Sequence, residues 1–73
     1  MIYIQEHFSD FESVTIRVDG LLTGDCINTL REILTHHLED GKKVSVNLKK
    51  LNHISREAKM VLTEFEDRVV LIY

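Results

Sequence analysis

The residues best suited to chemistry lie close together in the run Leu51-Asn-His-Ile-Ser-Arg-Glu-Ala-Lys59. Asn52 and His53 offer an amide and an imidazole, Ser55 a hydroxyl, and Arg56, Glu57 and Lys59 charge of both signs. Ser55 has two readings. It precedes an apolar pattern of helical period, so its hydroxyl can accept a first-turn N–H as an N-cap. It can also accept a phosphoryl group, which would then sit at a helix N-terminus beside Arg56, with Glu57 partly opposing the added charge. Arg56 and Glu57 read either as solvated first-turn residues or, with Asn52, His53 and Lys59, as a surface for a protein partner.

Other reactive side chains are less well placed. His36 and His37 are adjacent, so on a helix they point about 100° apart and do not share one ion easily. His36 and Asp40 could form half a metal site, but the sequence supplies no second pair, and these histidines are expected at the rim or in solvent. No metal and no cofactor is expected. His7 and His53 are isolated. Cys26, the one cysteine, falls on the apolar side of a helix and reads as buried and structural. Thr23 reads as a cap. Three scattered glycines form no phosphate-cradling loop, and no nucleophile–base order or carboxylate pair is specified. The residues therefore give no support for an enzyme.

Composition narrows the function classes further. Seventy-three residues make one domain, residues 1–73, with a marginal core. A net charge of -3, with no basic cluster beyond the pairs Lys42-Lys43 and Lys49-Lys50, argues against nucleic acid. One cysteine excludes an internal disulfide framework. The longest apolar run, Val69–Tyr73, is far short of a membrane span, and the start Met1-Ile-Tyr-Ile lacks the features of a signal peptide. A soluble cytoplasmic protein without membrane insertion is the expectation.

The elements that must position the central run follow from periodicity. Ile2-Tyr-Ile opens a strand ending near Phe8. Ser9–Glu12 makes a turn, and Val14, Ile16 and Val18 alternate with polar residues in a second strand, so the two should form an antiparallel hairpin. Asp19-Gly20 closes that strand, and Leu21-Leu22 is a brief apolar step. Thr23 or Asp25 caps a helix whose stripe is Ile27, Leu30, Leu34 and Leu38, ended by Asp40-Gly41. Lys43–Leu48 is a half-buried strand, and Leu51–Ile54 a loop whose two apolar ends return to the interior. Ala58, Val61, Leu62 and Phe65 mark a second amphipathic helix. Val69–Tyr73 is an all-apolar strand expected to be buried on both faces. The order is β-β-α-β-α-β in a mixed α/β sheet, with parallel pairing among the last three strands. The apolar last strand calls for further cover, from a missing helix in a truncated chain or from a partner, a homodimer included.

Three stretches resemble the STAS domain, the family of bacterial anti-sigma factor antagonists. Thr15-Ile-Arg-Val-Asp-Gly-Leu-Leu-Thr-Gly24 is similar to that family's strand and Gly-x-Leu step before the first helix. Leu30-Arg-Glu-Ile-Leu34 stands where its helix has Leu-Arg. Lys43 to Ala58 resembles its signature strand and loop, Val-x-Leu-Asp-Leu-Ser, an apolar residue, then Asp-Ser-x-Gly. Carried across by position, the family's aspartate falls on Ser55, its phosphorylatable serine on Arg56 and its glycine on Ala58. Asn47 and Lys49 replace its strand aspartate and the following serine. Arginine cannot accept phosphate, so the resemblance implies a STAS-like α/β domain without the usual switch. The family's final helix is also missing from this chain. The implied role is protein binding in bacterial signalling or transcription regulation, through Asn52, His53, Ser55, Arg56, Glu57 and Lys59. The implied partner is an anti-sigma factor or kinase-like protein. An accessory subunit of an ABC-type lipid transporter, a small nucleotide-binding domain and an inactive fragment are the alternatives.

Overall fold

In a computed structural model that describes residues 2–73, the chain runs β1 (Ile2–Phe8), β2 (Ser13–Leu22), α1 (Gly24–Glu39), β3 (Lys43–Asn47), β4 (Leu51–Ile54), α2 (Arg56–Phe65) and β5 (Val69–Ile72). The five strands form one mixed sheet. β1 pairs antiparallel with β2, β2 parallel with β3, and β3 parallel with β5.

The core follows from strand alternation. Val14, Ile16 and Val18 of β2 stand beside Val44 and Val46 of β3 and Val69 of β5 on one face of the sheet. The two helices cover that face with Ile27, Leu30 and Leu34 from α1 and Ala58, Val61, Leu62 and Phe65 from α2, all in one buried cluster. The opposite face carries Gln5, Thr15, Arg17, Ser45 and Asn47 and meets no helix among the described residues, so β2 and β3 are buried on one side and only half-buried on the other.

Four expectations need correction. Leu51–Ile54 is a strand, not a loop: β4 pairs parallel with the end of β2, with Gly20 opposite Leu51 and Leu22 opposite Ile54. The Leu21-Leu22 step is therefore the last part of β2. A register shift at Gly20/Leu21, with Gly20 at φ 94°, interrupts the period-two pattern there and hides both halves of the pairing. β5 is not buried on both faces: Val69 is buried, but Val70 is 60% exposed on the helix-free side. His37 is not at the rim but 5% exposed, its Nε2 3.3 Å from the Glu6 carboxylate and its ring edge-on to Phe8. Cys26 is half-buried, not fully buried: it packs against the margin of the core, and its Sγ accepts the Thr23 N–H at 3.3 Å, so it also helps cap α1.

The end of α1 is fixed by backbone geometry. The Lys42 N–H donates to the His37 carbonyl and the Gly41 N–H to the Leu38 carbonyl, the paired bonds of a Schellman motif. Gly41 takes the required left-handed conformation at φ 78°. This stop turns the chain directly into β3.

Candidate functional site

The run Leu51–Lys59 lies at the C-terminal ends of the parallel strands, where open α/β sheets present their loops. β3 ends at Asn47, whose side chain accepts the Lys49 N–H at 3.0 Å and tightens the Lys49-Lys50 turn. The chain then re-enters the sheet as β4. Asn52 and His53 in its middle are exposed, while Leu51 and Ile54 at its ends are half-buried.

Ser55 joins β4 to α2. Its N–H donates to the Leu22 carbonyl at 2.8 Å, which ties the helix start to the end of β2. Its Oγ accepts the Ala58 N–H at 3.2 Å, so the hydroxyl is engaged as an N-cap. Arg56, Glu57 and Lys59 follow on the exposed side of α2, with Ala58 buried behind them. The Glu57 carboxylate leans toward the start of α1, where a methyl group added at Gly24 would lie 3.1 Å from its Oε2. An acidic side chain between two helix N-termini meets the positive end of both dipoles.

The six residues singled out from the sequence thus fall on β4 (Asn52, His53), on the Ser55 junction and on the first turns of α2 (Arg56, Glu57, Lys59). Two contributors were not foreseen. Met60 is 64% exposed among the polar residues of α2. An open hollow of about 250 Å³ lies beside β4, lined by Leu48, Leu51, Asn52, His53, Ile54 and Tyr73. Tyr73 reaches it because Ile72 pairs with Asn47, which brings the end of β5 alongside the end of β3. No local signal in the sequence marks that juxtaposition.

The hollow is shallow and mainly apolar at its base, with an amide and an imidazole on its rim. It contains no carboxylate pair or nucleophile–base pair. Among the described residues, no three His, Cys, Asp or Glu side chains come together in a metal-binding group. Asp40, half of the metal pair considered from sequence, hydrogen-bonds Lys42. That bond and the lysine's charge hold its carboxyl below the ordinary value. Among the described residues no helix is long and apolar enough to cross a membrane.

No protein-family model and no curated protein matches the chain. Solved structures do. The chain superposes on the anti-sigma factor antagonist SpoIIAA in its unphosphorylated form with a TM-score of 0.72 at 17% identity, over 92% of this chain and 63% of that one. The fold is SpoIIAA-like. An uncharacterised DUF3478-family protein from Shewanella loihica PV-4, itself described as having a SpoIIAA-like fold, gives a TM-score of 0.64 at 17% identity over 88% of this chain and 53% of that one. A protein named Mglu gives 0.73 at 15% identity, over 93% of this chain but only 18% of that one. The chain therefore spans less than two thirds of each of these proteins. At such identities the likeness is one of fold alone.

Proposed function

We propose that the chain is a non-catalytic protein-interaction domain that works like an anti-sigma factor antagonist and lacks a phosphoserine switch at Arg56. Its partner surface is the edge formed by Asn52, His53, Ser55, Arg56, Glu57 and Lys59. The observation that carries the proposal is the exposure of this edge: five of the six side chains face solvent, and the sixth, Ser55, is engaged in holding the helix. Arg56 adds to the argument. A cation in the first turn of a helix opposes the dipole, and Lys59, three residues on, repeats its charge. The fold alone does not favour arginine there, whereas recognition of an acidic or hydrogen-bond-accepting partner would. The partner class is an anti-sigma factor or kinase-like protein of bacterial signalling.

The test is site-specific photo-crosslinking in cells. A crosslinker at His53 should yield an adduct with one protein of that class, and the same group at Gln5, on the helix-free face, should yield none. Adducts of equal yield from both positions, or adducts only from Gln5, would place the interaction elsewhere and overturn the reading.

A further inference from the structure

The helix-facing stripe of β1 runs Ile2, Ile4, Glu6 and Phe8, since Ile2 and Ile4 pack on the core and alternate residues share a face. α1 stops at Glu39, so the helix layer covers the end of that stripe only in part. Phe8 lies edge-on to His37 but keeps 56% of its surface exposed. Phe11, in the turn that follows, is 98% exposed. With Asp10 and Lys42 these two rings line an open hollow of about 390 Å³.

Three hydrogen bonds shape the turn that holds Phe11 out. The Ser9 N–H donates to the Ser13 carbonyl at 3.1 Å, the Glu12 N–H to the Asp10 Oδ1 at 2.7 Å, and the Lys43 N–H to the Glu12 carbonyl at 2.6 Å. The backbone is thus fixed without any help from the Phe11 ring, which is free to serve a contact outside the fold. Both ends of the described chain lie at the other end of the sheet, where Ile2 pairs with Gly20 and Ile72 with Asn47.

Charge selects the occupant. Lys42 is bonded to the Asp40 carboxylate, so that pair is neutral. Lys43 stands beside Ser13, one residue before the inward Val14 and Val44, and turns to the helix-free face. Asp10 has no cationic partner among the described residues. Glu6, partly exposed, stands two residues from Phe8 on the same stripe. The rim is therefore acidic around two aromatic rings, a setting that attracts cations both by charge and over the ring faces. No set of convergent polar groups is present to orient a small molecule. An apolar side chain flanked by cations instead fills the centre and pairs with the rim.

We infer that this hollow is a docking site for a cationic peptide segment of a partner protein. One apolar side chain of the segment packs on Phe8 and Phe11, and its Lys or Arg neighbours face Asp10 and Glu6. The site is separate from the β4–α2 edge, whose Arg56 and Lys59 repel such a segment. A second copy is disfavoured as occupant by the chain's own net charge of -3.

NMR shift mapping on the isotope-labelled chain tests this, with acetyl-Lys-Lys-Phe-Lys-Lys-amide as probe and its glutamate counterpart as control. The lysine peptide should give saturable shifts in the amides of residues 8–13 and Lys42, with a dissociation constant of roughly 1 mM. The glutamate peptide should bind about fivefold more weakly or not at all. Phe11→Ser removes an exposed ring without touching the core, so it should leave stability unchanged and weaken the lysine peptide about fivefold or more. Asp10→Asn keeps the oxygen that accepts the Glu12 N–H and should weaken it about twofold to fivefold. No shifts at these residues with the lysine peptide would overturn the inference. So would equal binding of the two peptides, or undiminished binding by Phe11→Ser. Shifts at the same residues that depend on protein concentration alone would assign the hollow to a second copy, and would overturn it as well.

Discussion

At the scale of single residues, several side chains have defined physical tasks. Ser55 links β2, β4 and α2 through one backbone and one side-chain bond. Ser55→Ala keeps the backbone bond and loses the cap, so it should cost about 1 kcal/mol of stability, while Ser55→Gly should cost only a few tenths. Chemical denaturation of the two variants checks this, and equal losses would mean that the hydroxyl does not cap. Gly41 is constrained differently. No atom lies within 4 Å of the position an added Cβ would take, so crowding is absent, but its φ of 78° strains any side chain. Gly41→Ala should lower stability by about 1–2 kcal/mol, visible as a fall in Tm of about 4–8 °C per kcal/mol. His37 is the reverse case. It is buried with neither ring nitrogen hydrogen-bonded, although Nε2 lies 3.3 Å from Glu6. Glu6 is partly exposed and can be solvated without it. Replacing a buried polar group that has no partner removes a desolvation cost, so His37→Leu should leave thermal stability unchanged or raised. A fall of about 2 kcal/mol or more would show that the ring makes a polar bond worth keeping.

At the scale of elements, legibility in the sequence followed locality. β1, β2 and both helices announce themselves in runs long enough to show period: Val14, Ile16 and Val18 alternate, and Ile27, Leu30 and Leu34 recur at helical spacing. Ser55 and Thr23 were readable as caps because cap chemistry is local. β4 was not readable. Its two middle residues, Asn52 and His53, are both exposed, so it shows no alternation, and its partner is the tail of β2 at the register shift after Gly20. A pairing between residues 20–22 and 51–54 is non-local, and neither segment shows it alone. The exposure of Val70 was hidden for a related reason, since an apolar strand reads the same whether its second face is covered or bare. His37 escaped notice because an imidazole carries no hydrophobic signal, and its burial depends on Phe8 and Glu6 of a distant strand. The candidate site was legible as a list of residues but not as a shape, because the hollow needs Tyr73 of β5 beside β4. These differences predict a gradient of local stability. β2 is hydrogen-bonded on both sides, by β1 on one and by β3 and β4 on the other, whereas β4 pairs only with β2. Amide hydrogen exchange should be slowest in the middle of β2, around Ile16, and markedly faster in Asn52 and His53. Equal protection of β2 and β4 would mean that the sheet opens only as a unit.

At the scale of the whole molecule, fold and binding edge draw on the same α2. A chain of this size has little stability to spare, so departures from favourable helix chemistry are informative. Arg56 is such a departure: it is exposed in the first turn of α2, its charge opposes the helix dipole, and Lys59 sits one turn further on the same side. Both effects change sign in Arg56→Glu. A carboxylate at that position meets the dipole favourably and can pair with Lys59, effects of about 0.3–1 kcal/mol and 0.2–0.5 kcal/mol respectively. Glu57 reduces the gain without cancelling it, since adjacent residues on a helix do not face each other. The variant should therefore be more stable than the wild-type chain by roughly 0.5–1 kcal/mol in denaturant unfolding. If the β4–α2 edge binds a partner through Arg56, the same variant should bind it at least several-fold more weakly, with the larger loss at low salt, where charge contributes most. Raised stability with weakened binding separates a recognition residue from a structural one. Raised stability with unchanged binding would remove Arg56 from the interface and leave the β4 residues to carry it. A loss of stability would mean that the arginine makes a contact that holds the fold.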